Sequence, residues 1–461
     1  MHQEVSFVLT AFLRALKFHA ILFKSTPTNA TKILAVLRVC VKYKNRINIK
    51  GKMNSLQRLE SNIMKWIVRT GYKLLSKYLA IYRIELSSGT LLLRLGFFDV
   101  NFNDLKSTYD INKTWLEGGP HRIDSLLFFT IPFDKEPSAG PRNILGLAKY
   151  FLSKGVQLYF AVLSNKYDDL KMFEDTLKFY GIDAKTFLVS KPEHVDSLPH
   201  STISIATYWT TAYPLLRFHN TDVKVYLIQD EETAFYPAGL FQYFAEYTYR
   251  FGFIGITNAH EIKEWYESNY HMPCFYFPPF IIRANKRRDL SNVSIRRVLV
   301  YYRYGAPRNA PELLYVVLKE ISRKYNVEIT IVGDKLPSKE FKALGWVGAD
   351  KLRELYENSD ACLYFMFSRH PGIVPLECMD AGAIVLTNRK HIKHSYLVNE
   401  YNALVVEPTL NSVIKAFDKV FRDVSLQKQL IRNGYKTVDE IFKDNDEKLE
   451  RFFKELSREI I

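Results

Sequence analysis

Between Leu363 and Asn388 the chain reads LYFMFSRHPGIVPLECMDAGAIVLTN, which sets Arg369, His370 and Glu377 close to Gly372 and Pro375. Leu363 to Phe367 is an apolar run of strand length, Ser368 to Gly372 breaks it, and Pro375 fits a helix start with Glu377 in the first turn. Gly382 ends that helix, and Ala383 to Leu386 resumes as a strand. Two strands joined by so short a helical crossover predict a parallel pair. A helix start at the carboxyl end of such a sheet presents free N–H groups and a positive dipole end, which suits an anion such as a phosphate. On residue types alone a plainer reading stays open, with Arg369 and His370 as loop residues and Glu377 complementing the helix N-terminus.

The elements that must position this stretch begin at Asp124. Strands are expected at Ser125 to Ile131, Gln157 to Leu163, Thr186 to Val189, Thr202 to Ala206, Val223 to Gln229, Ile254 to Thr257 and Cys274 to Phe277. A Pro- and Gly-rich loop, PFDKEPSAGPRN, precedes a helix at Ile144 to Ser153. Asp230, Glu231 and Glu232 follow a strand end, where an open sheet places substrate contacts, whereas the ring spacing over 241–253 reads as core packing. A polar link at Asn285 to Asn292 separates a second set of strands: Val298 to Tyr302, Glu328 to Val332 followed by Gly333-Asp334, Gly345 to Val347, Cys362 to Phe365 and Ala403 to Val406. Arg303 and Arg308 follow the first of these, and without further context they serve equally as surface charge or as ligands for an anion. Later helices are expected at Leu352 to Asn358, Leu410 to Asp423, Ser425 to Asn433 and Asp446 to Ile460. Strands alternating with helices in two sets predict an α/β chain with two doubly wound domains.

The segment around Glu377 resembles the family 4 glycosyltransferases of the GT-B fold, whose pattern sets two glutamates eight positions apart with Gly and Pro between them. Glu377 stands at the second glutamate and Pro375 at the proline, while Arg369 occupies the first. The form MFSRHPGIVPLE, and IQDEETAFYPAGLFQYFAEYTYRFGFIGIT over 228–257, look more like the WsaF-type rhamnosyltransferases of bacterial S-layer glycan assembly. Helical periodicity with basic faces predicts a helical, basic extension over 1–95, and the resemblance implies two Rossmann-like domains facing a cleft, an acceptor domain over 96–288 and a nucleotide-sugar domain over 289–440. A terminal helix at 441–461 would cross back to the first domain. It implies that Arg303 and Arg308 grip a donor diphosphate, and that Glu377 meets the ribose. Gly333, Arg369, His370 and Gly372 are expected to complete the donor site, with Asp230 on the acceptor side. The implied reaction is transfer of a sugar, with rhamnose the branch's own, to a glycan or lipid-linked glycan, with retention and with neither metal nor cofactor. Asp444-Asn445-Asp446 spells the metal triplet of another transferase fold, but its place at a helix start reads as a cap.

Composition bounds the rest. With 461 residues and 47% hydrophobic content the chain is globular with more than one core, and its four scattered cysteines indicate neither disulfides nor zinc. That usage fits a reducing, cytoplasmic setting. The net charge of +15 suits an anionic substrate, an acidic membrane surface or nucleic acid. Basic and aromatic residues do not interleave on one face beyond the amino-terminal helices, so nucleic acid is not expected. No GxGxxG joins a strand to a helix, which removes the usual dinucleotide signal. Val5 to Phe23 is broken by Arg14, Lys17 and His19, so neither a spanning helix nor a signal peptide is expected. Lys65, Arg69, Lys73 and Lys77 form a basic stripe at helical spacing, which is either a solvated face or a peripheral contact with the anionic inner face of the cell membrane.

Overall fold

The computed structural model describes residues 100–459 apart from 335, 337–339 and 389–394, all within one compact unit, Arg83–Ile461. The amino-terminal helices and the basic stripe expected over 1–95 lie outside the described residues.

Seven strands form the first sheet: β1 (Ser125–Thr130), β2 (Gln157–Leu163), β3 (Lys185–Val189), β4 (Ser201–Ala206), β5 (Thr221–Leu227), β6 (Ile254–Thr257) and β7 (Cys274–Tyr276). Their order is β3-β2-β1-β4-β5-β6-β7. Six form the second: β8 (Arg297–Tyr302), β9 (Glu328–Gly333), β10 (Lys342–Gly345), β11 (Ala361–Leu363), β12 (Ile384–Asn388) and β13 (Ala403–Val406), in the order β10-β9-β8-β11-β12-β13. Every strand pairing is parallel. Helices cover both faces, so a central strand such as β1, SLLFFT, is buried along its whole length and shows no polar alternation. Strand order reverses between β1 and β4 and again between β8 and β11, and each reversal opens a crevice at the strands' carboxyl ends.

Several elements differ from expectation for identifiable reasons. The strand expected to run to Phe367 stops at Leu363, although the next residues are apolar and buried. Side-chain amides replace the ladder there: Asn309 Nδ2 donates to the Phe365 carbonyl (2.8 Å), and Asn388 Nδ2 to that of Met366 (2.9 Å). The helix expected to end at Asn433 runs over Val424–Phe442, because Gly434 is a close crossing and not a stop. A Cβ at Gly434 would lie 3.2 Å from Met379 Cγ. The helix expected from Ile144 begins at Ala139, inside the Pro- and Gly-rich stretch. A helix at Phe102–Glu117, unforeseen in the sequence, docks on β5 through Asn112, whose amide donates to the carbonyls of Lys224 and Gly252, each at 2.8 Å. The last helix, Asn445–Ser457, sends Leu449, Phe452 and Leu456 into the core of the first sheet. Asp444 stands at its N-cap position but makes no side-chain cap bond, which corrects the reading of that triplet as a cap.

Two titratable side chains sit deep in the first domain. Glu232 is buried, and its Oε2 accepts from the Trp209 amide (2.6 Å) and the Tyr226 hydroxyl (2.7 Å). Burial pushes its carboxyl up to about 8, against those two bonds. Lys224 donates to the Leu216 carbonyl (2.7 Å) and Thr108 Oγ1 (3.1 Å), and burial pushes its ammonium down to about 7.

The two groups act on stability with opposite signs. Above the ordinary carboxylate range the unfolded chain has released the Glu232 proton while the folded chain keeps it, so stability falls as pH rises toward about 8. Lys224 makes stability rise with pH, beginning near about 7. A comparison between about pH 5 and 7 therefore isolates Glu232. Glu232→Gln should flatten the decline in stability over that range, where one group contributes at most about 1.4 kcal/mol per pH unit. Thermal midpoints at several pH values check this, and parallel curves for the two proteins would refute it.

Candidate active site

A cavity of about 510 Å³ opens where the carboxyl ends of the two sheets meet. Thr130 at the end of β1, with Thr207 and Asp230 beyond β4 and β5, lies on one wall, and Arg303, Arg308 and Tyr364, beyond β8 and β11, lie on the other.

The second-domain wall depends on a tight turn after β8. Tyr302 lies in register with Gly333, whose φ is +105°, and a Cβ there would stand 2.3 Å from the Tyr302 carbonyl oxygen. Only glycine accepts that backbone, so Gly333 lets β9 close against the base of the arginine loop. The Asp334 amide donates to the Tyr302 carbonyl (2.8 Å), and the Gly305 amide donates to Asp334 Oδ2 (3.2 Å). Further along, the Phe367 amide donates to the Arg308 carbonyl (2.7 Å), joining this loop to the one after β11.

The arginine heads are held by rings. The Arg303 guanidinium lies 5.2 Å from the centre of Trp346, and that of Arg308 lies 4.0 Å from the centre of Phe235 in the first domain. Both Nε atoms are buried without a hydrogen-bond partner, and no carboxylate among the described residues pairs with either head. Tyr301 reports their convergence. Burial raises its hydroxyl above the ordinary range, and Arg303, Arg308 and Arg142 all pull it back. Of the acidic groups on the wall, Glu232 stays protonated below about pH 8, which leaves Asp230 opposite two cations.

The three consecutive acids have three separate tasks. Asp230 accepts from Ser368 Oγ (2.8 Å) and from the amides of His370 (3.3 Å) and Glu231 (2.8 Å), so it clasps the second-domain loop. Glu231 faces Arg369 Nε at 3.3 Å, an ion pair by distance that lacks hydrogen-bond geometry. The reversed charge at position 369 therefore has an acidic partner across the cleft. Glu232 turns inward, as described above. His370 is buried, its Nδ1 accepts from the Gly372 amide (2.7 Å), and its Nε2 lies 3.1 Å from Asn258 Oδ1. That network assigns the proton to Nε2 and a neutral ring. Gly372 has φ +87°, and a Cβ there would meet Tyr364 Oη at 2.4 Å.

Glu377 stands apart from this group. Its side chain is 0% exposed, with Oε1 accepting from Arg142 Nη2 (2.5 Å) and the Ile282 amide (3.0 Å) and Oε2 from the Tyr356 hydroxyl (2.8 Å). It sits at the joint between the domains, outside the cavity wall. Asp380, on the same short helix Val374–Asp380, binds Arg283 (2.9 Å) and the Ala284 amide (2.8 Å) of the connecting segment. Sequence reasoning missed Arg142, Tyr301 and Tyr364. Arg142 lay in the flagged PSAGPRN stretch, but nothing local marks it as the partner of a residue 235 positions away. Among the described residues no group of three or more His, Cys, Asp or Glu side chains is placed to hold a metal ion.

What this arrangement can do is hold an anion with partly buried, ring-braced guanidinium groups between two walls that carry polar side chains. Residues 296–418 match the family described as WsaF, C-terminal domain. The O-antigen biosynthesis protein RfbC of Myxococcus xanthus is 31% identical over 261 residues, covering 54% of this chain. The chain spans only 20% of that relative's length. Among solved structures, TarM superposes with a TM-score of 0.59 at 9% identity, over 73% of this chain and 99% of its own. Anabaena HepE, solved with UDP and glucose, gives 0.56 at 13% identity over 72% and 100%, and the pneumococcal O-GlcNAc transferase GtfA gives 0.52 at 8% identity over 73% and 99%. At these identities the likeness is one of fold. The facing parallel sheets of seven and six strands thus share the GT-B fold of these solved structures, and the match to the WsaF C-terminal domain is confined to residues 296–418.

Proposed function

We propose that this protein is a glycosyltransferase that moves a sugar from a nucleoside-diphosphate donor to a glycan acceptor in cell-surface polysaccharide assembly. The observation that carries this reading is the pair Arg303 and Arg308, whose buried Nε atoms lack acceptors at the carboxyl ends of two facing parallel sheets. As the glycosidic bond to the donor breaks, negative charge gathers on the departing diphosphate. Guanidinium groups already braced on Trp346 and Phe235 stabilise that charge without reorganising. Arg369, His370 and Gly372 form the loop that faces the transferred sugar. Asp230 is spent on that loop, so the acceptor's proton passes to a donor phosphate oxygen, consistent with retention. Glu377 serves the domain joint first and meets the ribose only when Arg142 yields.

Rhamnose is the sugar that the resemblance to the WsaF-type rhamnosyltransferases implies, and residues 296–418 match the WsaF C-terminal domain. UDP in the HepE and GtfA structures makes the uridine nucleotides the competing donors. Arg303→Ala and Arg308→Ala should each fold normally and bind UDP or thymidine diphosphate about 10- to 100-fold more weakly, the loss expected for a charge-assisted contact. Calorimetry checks this, and unchanged affinity in both variants would remove the assignment. Because the charge is met by arginines, transfer should continue in excess chelator; loss of turnover that Mg²⁺ or Mn²⁺ restores would contradict it.

We also propose peripheral contact with an anionic membrane through Lys65, Arg69, Lys73 and Lys77. Replacing the four with Gln should reduce flotation with anionic vesicles and leave recovery with neutral vesicles unchanged. Equal recovery of both proteins with anionic lipid would count against it.

A further inference from the structure

Glu232 belongs to the cavity wall although only 2% of it is exposed. Its two oxygens are not equivalent. Oε2 accepts from the Trp209 amide and the Tyr226 hydroxyl, whereas Oε1 has no hydrogen-bond partner among the described residues and is not sealed from the cavity. An oxygen that already takes two donors is the carbonyl oxygen of a protonated carboxyl, which assigns the proton to Oε1. The chain therefore holds an O–H at the cavity surface with no acceptor of its own among the described residues. A buried donor left unmet costs stability, so one that is retained at a cleft points to an oxygen of a ligand.

The surrounding charges select which oxygen. Glu232 opens the short turn Glu232–Phe235, and Phe235 at its other end carries the Arg308 guanidinium. The charged groups that act on Glu232 are Asp230, two residues before it, and Arg308 from the second domain. The hydroxyls of Tyr208, Tyr226, Tyr236 and Tyr249 also act on it, and burial holds all four above the ordinary phenol range, so they stay neutral. Arg308 favours the ionised carboxyl, while burial and Asp230 favour the protonated one. A bound anion adds to the second side, because it offsets Arg308 and repels a carboxylate; a neutral sugar does neither. An anion and the O–H of this acid therefore support each other.

We propose that Glu232 donates a hydrogen bond from Oε1 to an anionic oxygen of the nucleoside diphosphate held by Arg303 and Arg308; the proposal rests on the transferase reading above. The diphosphate then binds together with a proton. Above about pH 8 the free protein has lost the Glu232 proton and has to regain it on binding, so affinity falls as pH rises, by at most about tenfold per pH unit. From about pH 7 to 8 the acid is already protonated and the dependence is slight.

Calorimetry of the full chain with UDP and with thymidine diphosphate tests this. The unaltered protein should bind about tenfold more weakly at pH 9 than at pH 7. Glu232→Gln keeps a carbonyl oxygen for Trp209 and Tyr226 and places an amide N–H where the acid O–H stood, so its affinity should change less than about twofold between the same two pH values. Glu232→Met has similar volume and no donor, and at pH 7 it should bind about tenfold more weakly than Glu232→Gln, the loss expected for a hydrogen bond to a charged group. A second measurement needs no variant to fold. For the unaltered protein at about pH 8.5, binding in two buffers of different ionisation enthalpy should show uptake of more than about half a proton, because the terminal phosphate of the nucleotide ionises well below that pH, near about 6. Level affinity from pH 7 to 9 without proton uptake, or an equal fall in the unaltered protein and Glu232→Gln, overturns the proposal and leaves the transferase reading standing. Equal affinities of Glu232→Met and Glu232→Gln at pH 7 overturn the hydrogen bond as well. Absence of nucleotide binding by the unaltered protein at every pH removes the transferase reading, and the proposal with it.

Discussion

A carboxylate removed from water must be paired where it lies, and Glu377 satisfies that requirement with three donors from three different parts of the chain. Arg142 comes from the first domain, the Ile282 amide from the connecting segment, and Tyr356 from the second domain. Asp380, three residues on, binds the same segment through Arg283 and Ala284. One short buried helix therefore fixes how the two sheets face each other, and with that the width of the cavity between them. Removing one partner of such a buried pair generally costs about 3–5 kcal/mol, because the remaining charge is left uncompensated.

The rim of the cleft is irregular backbone buried in protein, so its polar groups need partners that no strand ladder supplies. Asn309, Asn388 and Asp230 provide them, each binding backbone of the segment 365–370. His370 does the same for Gly372. The Nε atoms of Arg303 and Arg308 are buried without hydrogen-bond partners, as are those of Arg142 and Arg369, and a folded protein leaves few buried donors unmet. Rings brace the heads of Arg303 and Arg308, and a bound anion would complete them.

Much of the architecture was legible beforehand. The apolar runs at 157–163, 254–257 and 403–406 appear as strands with those same limits, because a strand buried on both faces announces itself by unbroken apolar composition. Arg303 and Arg308 were legible as candidates from their place after a strand and from family resemblance. The end of the strand near Leu363 was not, since apolar residues buried in a loop look the same in sequence as apolar residues in a ladder. Among the three consecutive acids, only their position after a strand could be read. Whether each turned to the partner loop, to Arg369 or into the core depended on side chains arriving from elsewhere.

Composition and spacing by themselves determined that this chain builds two parallel sheets wrapped in helices, that an arginine loop follows the first strand of the second sheet, and that glycines stand where backbone must turn tightly. Those properties are local: they follow from apolar run lengths and from the φ angles a residue type allows. Tertiary structure alone decided that Arg142 meets Glu377, that Glu231 meets Arg369, and that Glu232 is buried and keeps its proton. Each of these is a matter of burial and of pairing across tens to hundreds of residues. The energy of a buried charge is set by what surrounds it, and its sequence neighbours do not specify that.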